Sequence, residues 1–176
     1  DAWPSDKYFN ILVCNDEGWI CYAQFPGGST ATDGVVMDYQ IFGLSPNNPP
    51  AHNYGKVLAH ETGHWLNLRH IWGDDNGACT GTDFVDDTPN QSNWINGIHD
   101  SSEVIISCDN APNGAMWMNF MDYTWGASSL MFSLGQSARM DAILVTDYYR
   151  KKIITSTVCN DANNSTSSEI DESTFK

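Results

Sequence analysis

The first third of the chain alternates between short apolar runs and polar breaks, a pattern typical of short β-strands joined by turns. Apolar runs at 8–14 (YFNILVC), 19–25 (WICYAQF) and 34–42 (GVVMDYQIF) predict three strands. The breaks between them contain Gly, Pro, Asn and Asp, the residues that turns favour. Because only NDEG (15–18) separates the first two runs, we expect these two strands to pair as a hairpin.

The pattern becomes helical from about 54 to 66 and again over 132–154. In the second stretch, Ser133 and Gln136 have the spacing of a capping box at a helix start. Residues 73–115, between the helices, are rich in Gly, Asp, Asn and Ser and show no long period. We therefore expect an α+β fold whose central loop is ordered by something other than a hydrophobic core.

Length and composition limit the classes of protein. A chain of 176 residues with 41% hydrophobic residues suggests one domain with its own core. The polar end, 159–176, is expected to be a loose tail or linker, which leaves 1–158 as the domain. No apolar run is long enough for a membrane span. The start, DAWPSDKYF, does not have the pattern of a signal peptide, which is absent or already removed.

Charge and cysteine content narrow the partners and the compartment. A formal net charge of −14 disfavours nucleic acid and anionic membranes as partners. The simplest interpretation of this charge is a solvated acidic surface, and the more specific one is that some carboxylates hold calcium. Five cysteines without a C-x-x-C pair indicate an extracellular, partly disulfide-bonded protein and not a thiolate zinc module.

The stretch HETGHWLNLRH (60–70) carries the candidate chemistry. His60 and His64 are four residues apart, so on a helix both imidazoles face the same ion. Glu61, beside His60, is placed to reach a water on that ion without binding the ion itself. His70 joins them only if the helix stops and the chain folds back, because a continued helix would turn it away.

Asn67 is the residue predicted to make that stop. The turn that ends a helix commonly needs a left-handed conformation, which glycine adopts best and asparagine next. Three neutral histidines with an open fourth position describe catalytic zinc. The alternative is that these histidines are ordinary polar groups of a helix, since H-E-x-x-H alone also occurs by chance. The third histidine favours the metal site.

The same stretch resembles the extended zinc signature of the metzincins, H-E-x-x-H-x-x-G-x-x-H, with Asn67 in the glycine position. The surrounding segments are similar to the pappalysin (cytophagalysin) branch, over about residues 3 to 150. They are YAQFPGG (22–28), DGVVMDY (33–39), GKVLAHETGHWLNLRHIWGD (55–74), DFVDDTPN (83–90), NFMDY (119–123) and MFSLGQSARM (131–140).

The resemblance implies a metzincin-type zincin. Its fold would have a small twisted mixed sheet and an active-site helix, then a loop-rich C-terminal subdomain with a Met-turn and one long helix. The implied function is a secreted zinc endopeptidase, made as a precursor, in which Glu61 activates a zinc-bound water to hydrolyse peptide bonds of proteins. Met121 matches the methionine of the turn beneath the metal. Tyr123 matches the tyrosine that stabilises the tetrahedral intermediate.

Further metal and disulfide sites follow partly from the resemblance. Family members bind calcium near the DFVDDTP stretch, where hard oxygen ligands lie at close spacing. The candidate ligands are Asp74, Asp83, Asp87 and Thr88. Cys79 and Cys108 match a family disulfide. Cys14 and Cys21 flank the predicted hairpin turn, so they are a second candidate pair, which leaves Cys159 over.

The metzincin domain usually opens with a strand and a long backing helix, and residues 1–53 contain no helical pattern of useful length. Either an upstream part of the domain is missing, or a shortened form covers the sheet in another way. We therefore expect the first two strands to expose apolar side chains, or to bury them against another chain or an upstream fragment of the same precursor. The residues that test this are Ile11, Val13, Ile20 and Tyr22.

Two functional hypotheses remain open. The leading one is the secreted zinc endopeptidase, and the alternative is a zinc-holding binding or adhesion module without activity on the same fold. Intact Glu61 favours the enzyme. Family members that prefer a basic residue after the scissile bond use acidic residues shortly after the Met-turn. Here TWGASS (124–129) has no carboxylate, so we expect no strong preference for Arg.

Overall fold

The structure is a computed structural model that describes residues 2–15, 21–44, 49, 51–52, 54–147 and 150–158. The predicted tail, 159–176, lies outside these residues, as do Ile20 and Cys159. The elements are β1 (Ile11–Cys14), β2 (Cys21–Ala23), β3 (Val35–Asp38), a 3-10 helix (Tyr39–Ile41), α1 (Lys56–Trp65), β4 (Asn96–Gly97), β5 (Tyr123–Thr124), α2 (Leu134–Thr146) and a second 3-10 helix (Arg150–Thr155). This is the mixed α+β architecture that the sequence predicts.

The sheet order is β1-β3-β2, with β3 parallel to β1 and antiparallel to β2. The predicted hairpin between the first two strands is therefore wrong. β3 takes the centre because its Val35 and Met37 are almost fully buried, whereas the side chains of β1 are exposed or half-buried.

The sheet order also separates Cys14 from Cys21, which are both free thiols. They lie on opposite sides of β3, opposite Asp38 and Met37 respectively. Two strand spacings put them about 10 Å apart, beyond the reach of a disulfide. The predicted Cys14–Cys21 pair is therefore wrong.

Apolar side chains of the outer strands face solvent in this chain. Ile11 is 39% exposed, Val13 40% and Tyr22 54%. The exposure expected for the outer strands is thus confirmed for these three residues, and Ile20 lies outside the described part. None of the helices in the described residues is long and apolar enough to cross a bilayer.

One core cluster fixes α1 on the sheet. Val35 and Met37 from β3 pack with Ile41 and with Trp65 at the end of α1. The Trp65 indole donates to the buried carboxylate of Asp33, 3.0 Å away. Arg150, which is 2% exposed, reaches the same carboxylate at 2.6 Å and also donates to the Trp65 carbonyl oxygen. The end of α1 is thereby joined to the second 3-10 helix.

The second predicted helix, 132–154, is divided in the structure. α2 begins after Ser133, whose side chain and that of Gln136 form the predicted capping box. It ends at Thr146, because Asp147 adopts an extended conformation, and the chain resumes as a 3-10 helix at Arg150. The prediction of one long helix is therefore too long at its C-terminal end.

The central loop, 73–115, contains β4 as its one assigned element within the described residues. The disulfide between Cys79 and Cys108, with a Cα–Cα distance of 5.4 Å, ties its two halves together. The carboxylate of Asp75 accepts hydrogen bonds from the backbone N–H groups of Gly77, Ala78, Thr80 and Gly81. A disulfide and an acidic side chain thus stabilise backbone that has little core of its own.

Candidate metal centre

Asn67 ends α1 in the left-handed conformation, with φ of 72°. The N–H of Asn67 donates to the carbonyl of His64, and the N–H of Leu68 donates to that of Gly63, at 2.9 and 2.8 Å. These two bonds are those of the Schellman motif, which satisfies the last carbonyls of a helix. The predicted turn at Asn67 is confirmed, and it sends the chain back toward α1.

The turn brings His70 onto the same face as His60 and His64. The Nε2 atom of His70 lies 3.0 Å from that of His64 and 3.3 Å from that of His60. Tetrahedral zinc with bonds of 2.0–2.1 Å would hold two nitrogens about 3.3–3.4 Å apart. In the described part of the chain, these three histidines are the one group of three or more His, Cys, Asp or Glu side chains placed to hold a metal. Their spacing fits zinc.

The outer nitrogen of each histidine has its own acceptor. His60 Nδ1 donates to the Phe120 carbonyl oxygen at 2.6 Å and His64 Nδ1 to that of Leu68 at 2.9 Å. His70 Nδ1 donates to the Asp74 carboxylate, 2.9 Å away. A proton held on Nδ1 leaves the lone pair of Nε2 facing inward, which is the tautomer that a metal requires.

Burial keeps these imidazoles neutral. It lowers the pKa of His60 to about 3, with further contributions from His64 and His70. Burial likewise lowers the pKa of His64 to about 4 and depresses that of His70. Neutral imidazole is the form that ligates a metal, so near neutral pH the three histidines can bind an ion without first losing a proton.

Glu61 is 5% exposed and has a neighbour that the sequence did not predict. The thiol of Cys21, on β2, donates to Glu61 Oε1 at 2.9 Å. Burial raises the pKa of Glu61, and the hydrogen bond from Cys21 opposes that rise. Burial and the nearby carboxylate also raise the pKa of the Cys21 thiol, so the proton stays on sulfur. Cys21 therefore holds the glutamate by a hydrogen bond and forms no disulfide.

Aromatic side chains form one wall of the centre. The Tyr123 ring lies 5.5 Å from that of His60 and 5.0 Å from that of His70, between ring centroids. Trp72 stacks on His70 at 4.1 Å and fixes the plane of its ring. Burial, followed by the charge of Glu61, raises the pKa of Tyr123 to about 12. Its phenol thus remains a hydrogen-bond donor over the physiological range.

Met121 is fully buried and its sulfur lies next to Gly63 of α1. It packs with Leu68, and a Cβ atom added to Gly63 of α1 would lie 2.5 Å from its sulfur. The turn that carries it is fixed by Asn119 and Gln136, two fully buried amides that donate to each other at 2.7 and 3.1 Å. Asn119 also accepts from the N–H of Met121. The sequence identified Gln136 only as a capping residue and did not point to Asn119.

The four candidate calcium ligands all have partners within the protein. Asp83 accepts from the Thr88 hydroxyl at 2.7 Å, and Asp87 accepts from Ser133 and the N–H of Gly135 at the start of α2. Asp74 faces His70 instead. The structure does not bring the three aspartates together as one cluster among the described residues.

Comparison with known proteins agrees with this geometry. The model of the Peptidase_M43 family, described as pregnancy-associated plasma protein-A, matches residues 1–145. The extracellular metalloprotease of Arthroderma otae is 33% identical over 126 residues, which are 69% of this chain and 43% of that protein. That of Pyricularia oryzae is 33% identical over 132 residues, 72% of this chain and 44% of that protein. The chain thus spans less than half the length of these curated relatives.

Solved structures show the same fold. Mature mirolysin of Tannerella forsythia in complex with a cleaved peptide has 41% identity and a TM-score of 0.78, covering 86% of this chain and 58% of that one. A promirolysin mutant from the same organism has 38% identity and a TM-score of 0.80, covering 94% of this chain and 54% of that one.

Proposed function

The chain belongs to the Peptidase_M43 family, and we propose that it is the catalytic part of a secreted zinc endopeptidase that cleaves proteins or peptides. The observation that carries the proposal is the convergence of three Nε2 atoms, from His60, His64 and His70, while Glu61 lines the same cavity as His60. Relatives of this chain are extracellular metalloproteases, and one solved neighbour holds a cleaved peptide.

His60, His64 and His70 would hold the zinc. When bound, zinc lowers the pKa of a water molecule and polarises a carbonyl oxygen. Glu61 takes the proton from the attacking water and passes it to the leaving amine nitrogen. Its burial supports this role, because a raised pKa makes the carboxylate a stronger base. The Cys21 thiol keeps the carboxylate in one orientation.

Tyr123 and Met121 would complete the centre. The Tyr123 phenol, protonated and beside two of the histidines, donates a hydrogen bond to the oxygen that becomes negative during the reaction. Met121, the methionine of the Met-turn, packs against Gly63 of α1 and against Leu68, which follows the helix. The adjacent carbonyl of Phe120 orients His60.

One experiment tests the whole proposal. The zinc-loaded protein is incubated with an unfolded protein substrate, and the cut sites are mapped by mass spectrometry. Wild type should cleave, and a chelator should stop it. Glu61→Ala should retain zinc and lose at least on the order of a hundredfold in rate, because the general base is gone. Retained zinc with no cleavage by wild type would instead indicate the zinc-holding binding module.

We also propose that calcium stabilises the central loop. Asp83 is 4% exposed and burial raises its pKa, so a cation would favour its ionised form. Backbone carbonyls of the surrounding loop could complete such a site, with Asp87 and Thr88 nearby in sequence. Calcium added to zinc-loaded protein should then raise the melting temperature by mass action. Equal melting temperatures with and without calcium would remove it from the proposal.

A further inference from the structure

A cavity of about 630 Å³ opens beside Glu61. Its apolar lining includes Val57 from α1, Phe120 and Trp125, and Thr124 from β5 also lines it. Glu61 and His60 form one side, so the cavity begins at the proposed reaction centre. A side chain of the substrate that enters this cavity is therefore next to the scissile bond.

The position of Glu61 indicates which substrate residue enters the cavity. The general base delivers its proton to the leaving nitrogen, which belongs to the residue after the scissile bond. That residue must lie on the Glu61 side of the centre, where the cavity is. This assignment rests on the proposed peptidase function.

Lys56 provides a positive charge in the cavity. It is the first residue of α1, one helical turn before His60 and on the same face. Its ammonium lies 5.3 Å from the centroid of the Phe120 ring. No carboxylate lies within ion-pair distance of it in the described part of the chain. The N-terminal end of α1 adds positive potential at the same place.

Among the described residues, neither of the two carboxylates that line the cavity, Glu61 and Asp122, forms an ion pair with Lys56. Asp122 is 3% exposed, and both of its oxygens accept hydrogen bonds from within the protein, namely from the N–H groups of Ile95 and Tyr123 and the amide of Gln91. Glu61 is held by Cys21 and is assigned to the reaction. A cationic substrate side chain would thus find a lysine and no free acceptor carboxylate among the described lining residues.

We propose that Lys56 selects substrates with an acidic residue, glutamate above all, immediately after the scissile bond, and disfavours arginine and lysine there. The apolar lining takes the methylene groups of glutamate, and the carboxylate meets the Lys56 ammonium. Because Lys56 is only half-buried, the preference is moderate. We expect kcat/KM for Glu to exceed that for Arg by about tenfold at low salt and by less at high salt.

The test uses peptides that differ only in the residue after the scissile bond, which is Glu, Gln or Arg. The wild-type order should be Glu, then Gln, then Arg, with the cut bond verified by mass spectrometry. The ratio of kcat/KM for Glu to that for Arg is compared within each enzyme variant, so that changes in overall activity cancel. Lys56→Gln should bring this ratio near one, and Lys56→Glu should invert it in favour of Arg. An acidic residue suits the start of a helix, so Lys56→Glu is expected to fold.

Lys7→Glu is the matched control, since Lys7 is exposed, lies outside the cavity lining and gives the same change in net charge. This variant should keep the wild-type ratio. A wild-type enzyme that prefers Arg, or a ratio that Lys56→Glu leaves unchanged, would overturn the inference while the peptidase function stands. If no peptide is cut even though zinc is bound, the proposed function itself fails.

Discussion

The guanidinium of Arg139, in α2, donates a 2.8 Å hydrogen bond from Nε to the carbonyl oxygen of Asn67, where α1 ends. Asn67 has positive φ, and the chain reverses there to bring His70 back to the other two histidines. The turn is thus held from both sides, by the Schellman bonds of α1 and by a cation from the C-terminal helix.

Asn67→Val should therefore weaken both the fold and the metal site. A β-branched residue resists the left-handed conformation, with a loss of about 1–2 kcal/mol. We expect lower zinc affinity, measured by competition with a chelator, together with a lower midpoint of urea unfolding. Asn67→Gly is the matched control and should be neutral or slightly stabilising, because glycine adopts positive φ freely. Unchanged zinc affinity in the valine variant would separate the turn from the placement of His70.

The features that could be predicted from the sequence are the local ones. The spacing of His60 and His64, the turn at Asn67 and the capping box of Ser133 and Gln136 each depend on a few neighbouring residues. Their geometry follows from helix periodicity and from the conformational preferences of single side chains. The third histidine could be placed because the turn immediately before it was identified.

The features that the sequence did not predict depend on pairings over long distances. The hairpin was wrong because the order of strands depends on which strand is most completely buried, and β3 lies in the middle. The contact between Cys21 and Glu61 follows from that order, because β2 becomes the strand that borders α1. The amide pair of Asn119 and Gln136 joins residues 17 positions apart through a turn whose shape no local signal specified.

Gly63→Ala should destabilise the protein although alanine favours helices. The new methyl group would lie 2.5 Å from the Met121 sulfur and 3.3 Å from Leu68, so the floor of the site must shift. Overpacking of about 1–3 kcal/mol should exceed the gain of about 1 kcal/mol in helix propensity. Unfolding in urea measures the loss. In the variant that also carries Met121→Ala, the two losses should be less than additive by about 1 kcal/mol, whereas strict additivity would show that the two side chains do not compete for space.

Cys21→Ala should reduce kcat/KM several-fold, because the thiol donates a hydrogen bond to Glu61. It should have little effect on zinc content, because the three histidines that face the metal site do not include Cys21 as a partner. Cys21→Ser is the conservative variant, because a hydroxyl also donates a hydrogen bond and should restore most of the rate. A purely structural role would instead give equal losses in both variants, with matching losses of stability.

The stability of the metal-free protein should fall as the pH is lowered from about 6.5 toward 4. His60 has its pKa lowered to about 3 and His64 to about 4 by burial, so the unfolded chain binds more protons than the folded one across this window. The folded state is therefore at its most stable, with respect to these histidines, above their unfolded pKa of about 6.5. It loses stability as the pH falls below that value, because protonation of the histidines favours the unfolded chain. Asp122, whose pKa burial raises to about 6, acts in the opposite direction and makes the net slope shallower.

The variant His60→Gln isolates the histidine contribution, because glutamine does not titrate. The measurement is the melting temperature of chelator-treated protein at a series of pH values between 7.5 and 4.5. The decline should be shallower in His60→Gln than in wild type, since one of the protons that drives unfolding is no longer taken up. Parallel curves for the two proteins would mean that His60 titrates equally in the folded and unfolded states. Burial of the His60 ring would then not depress its pKa.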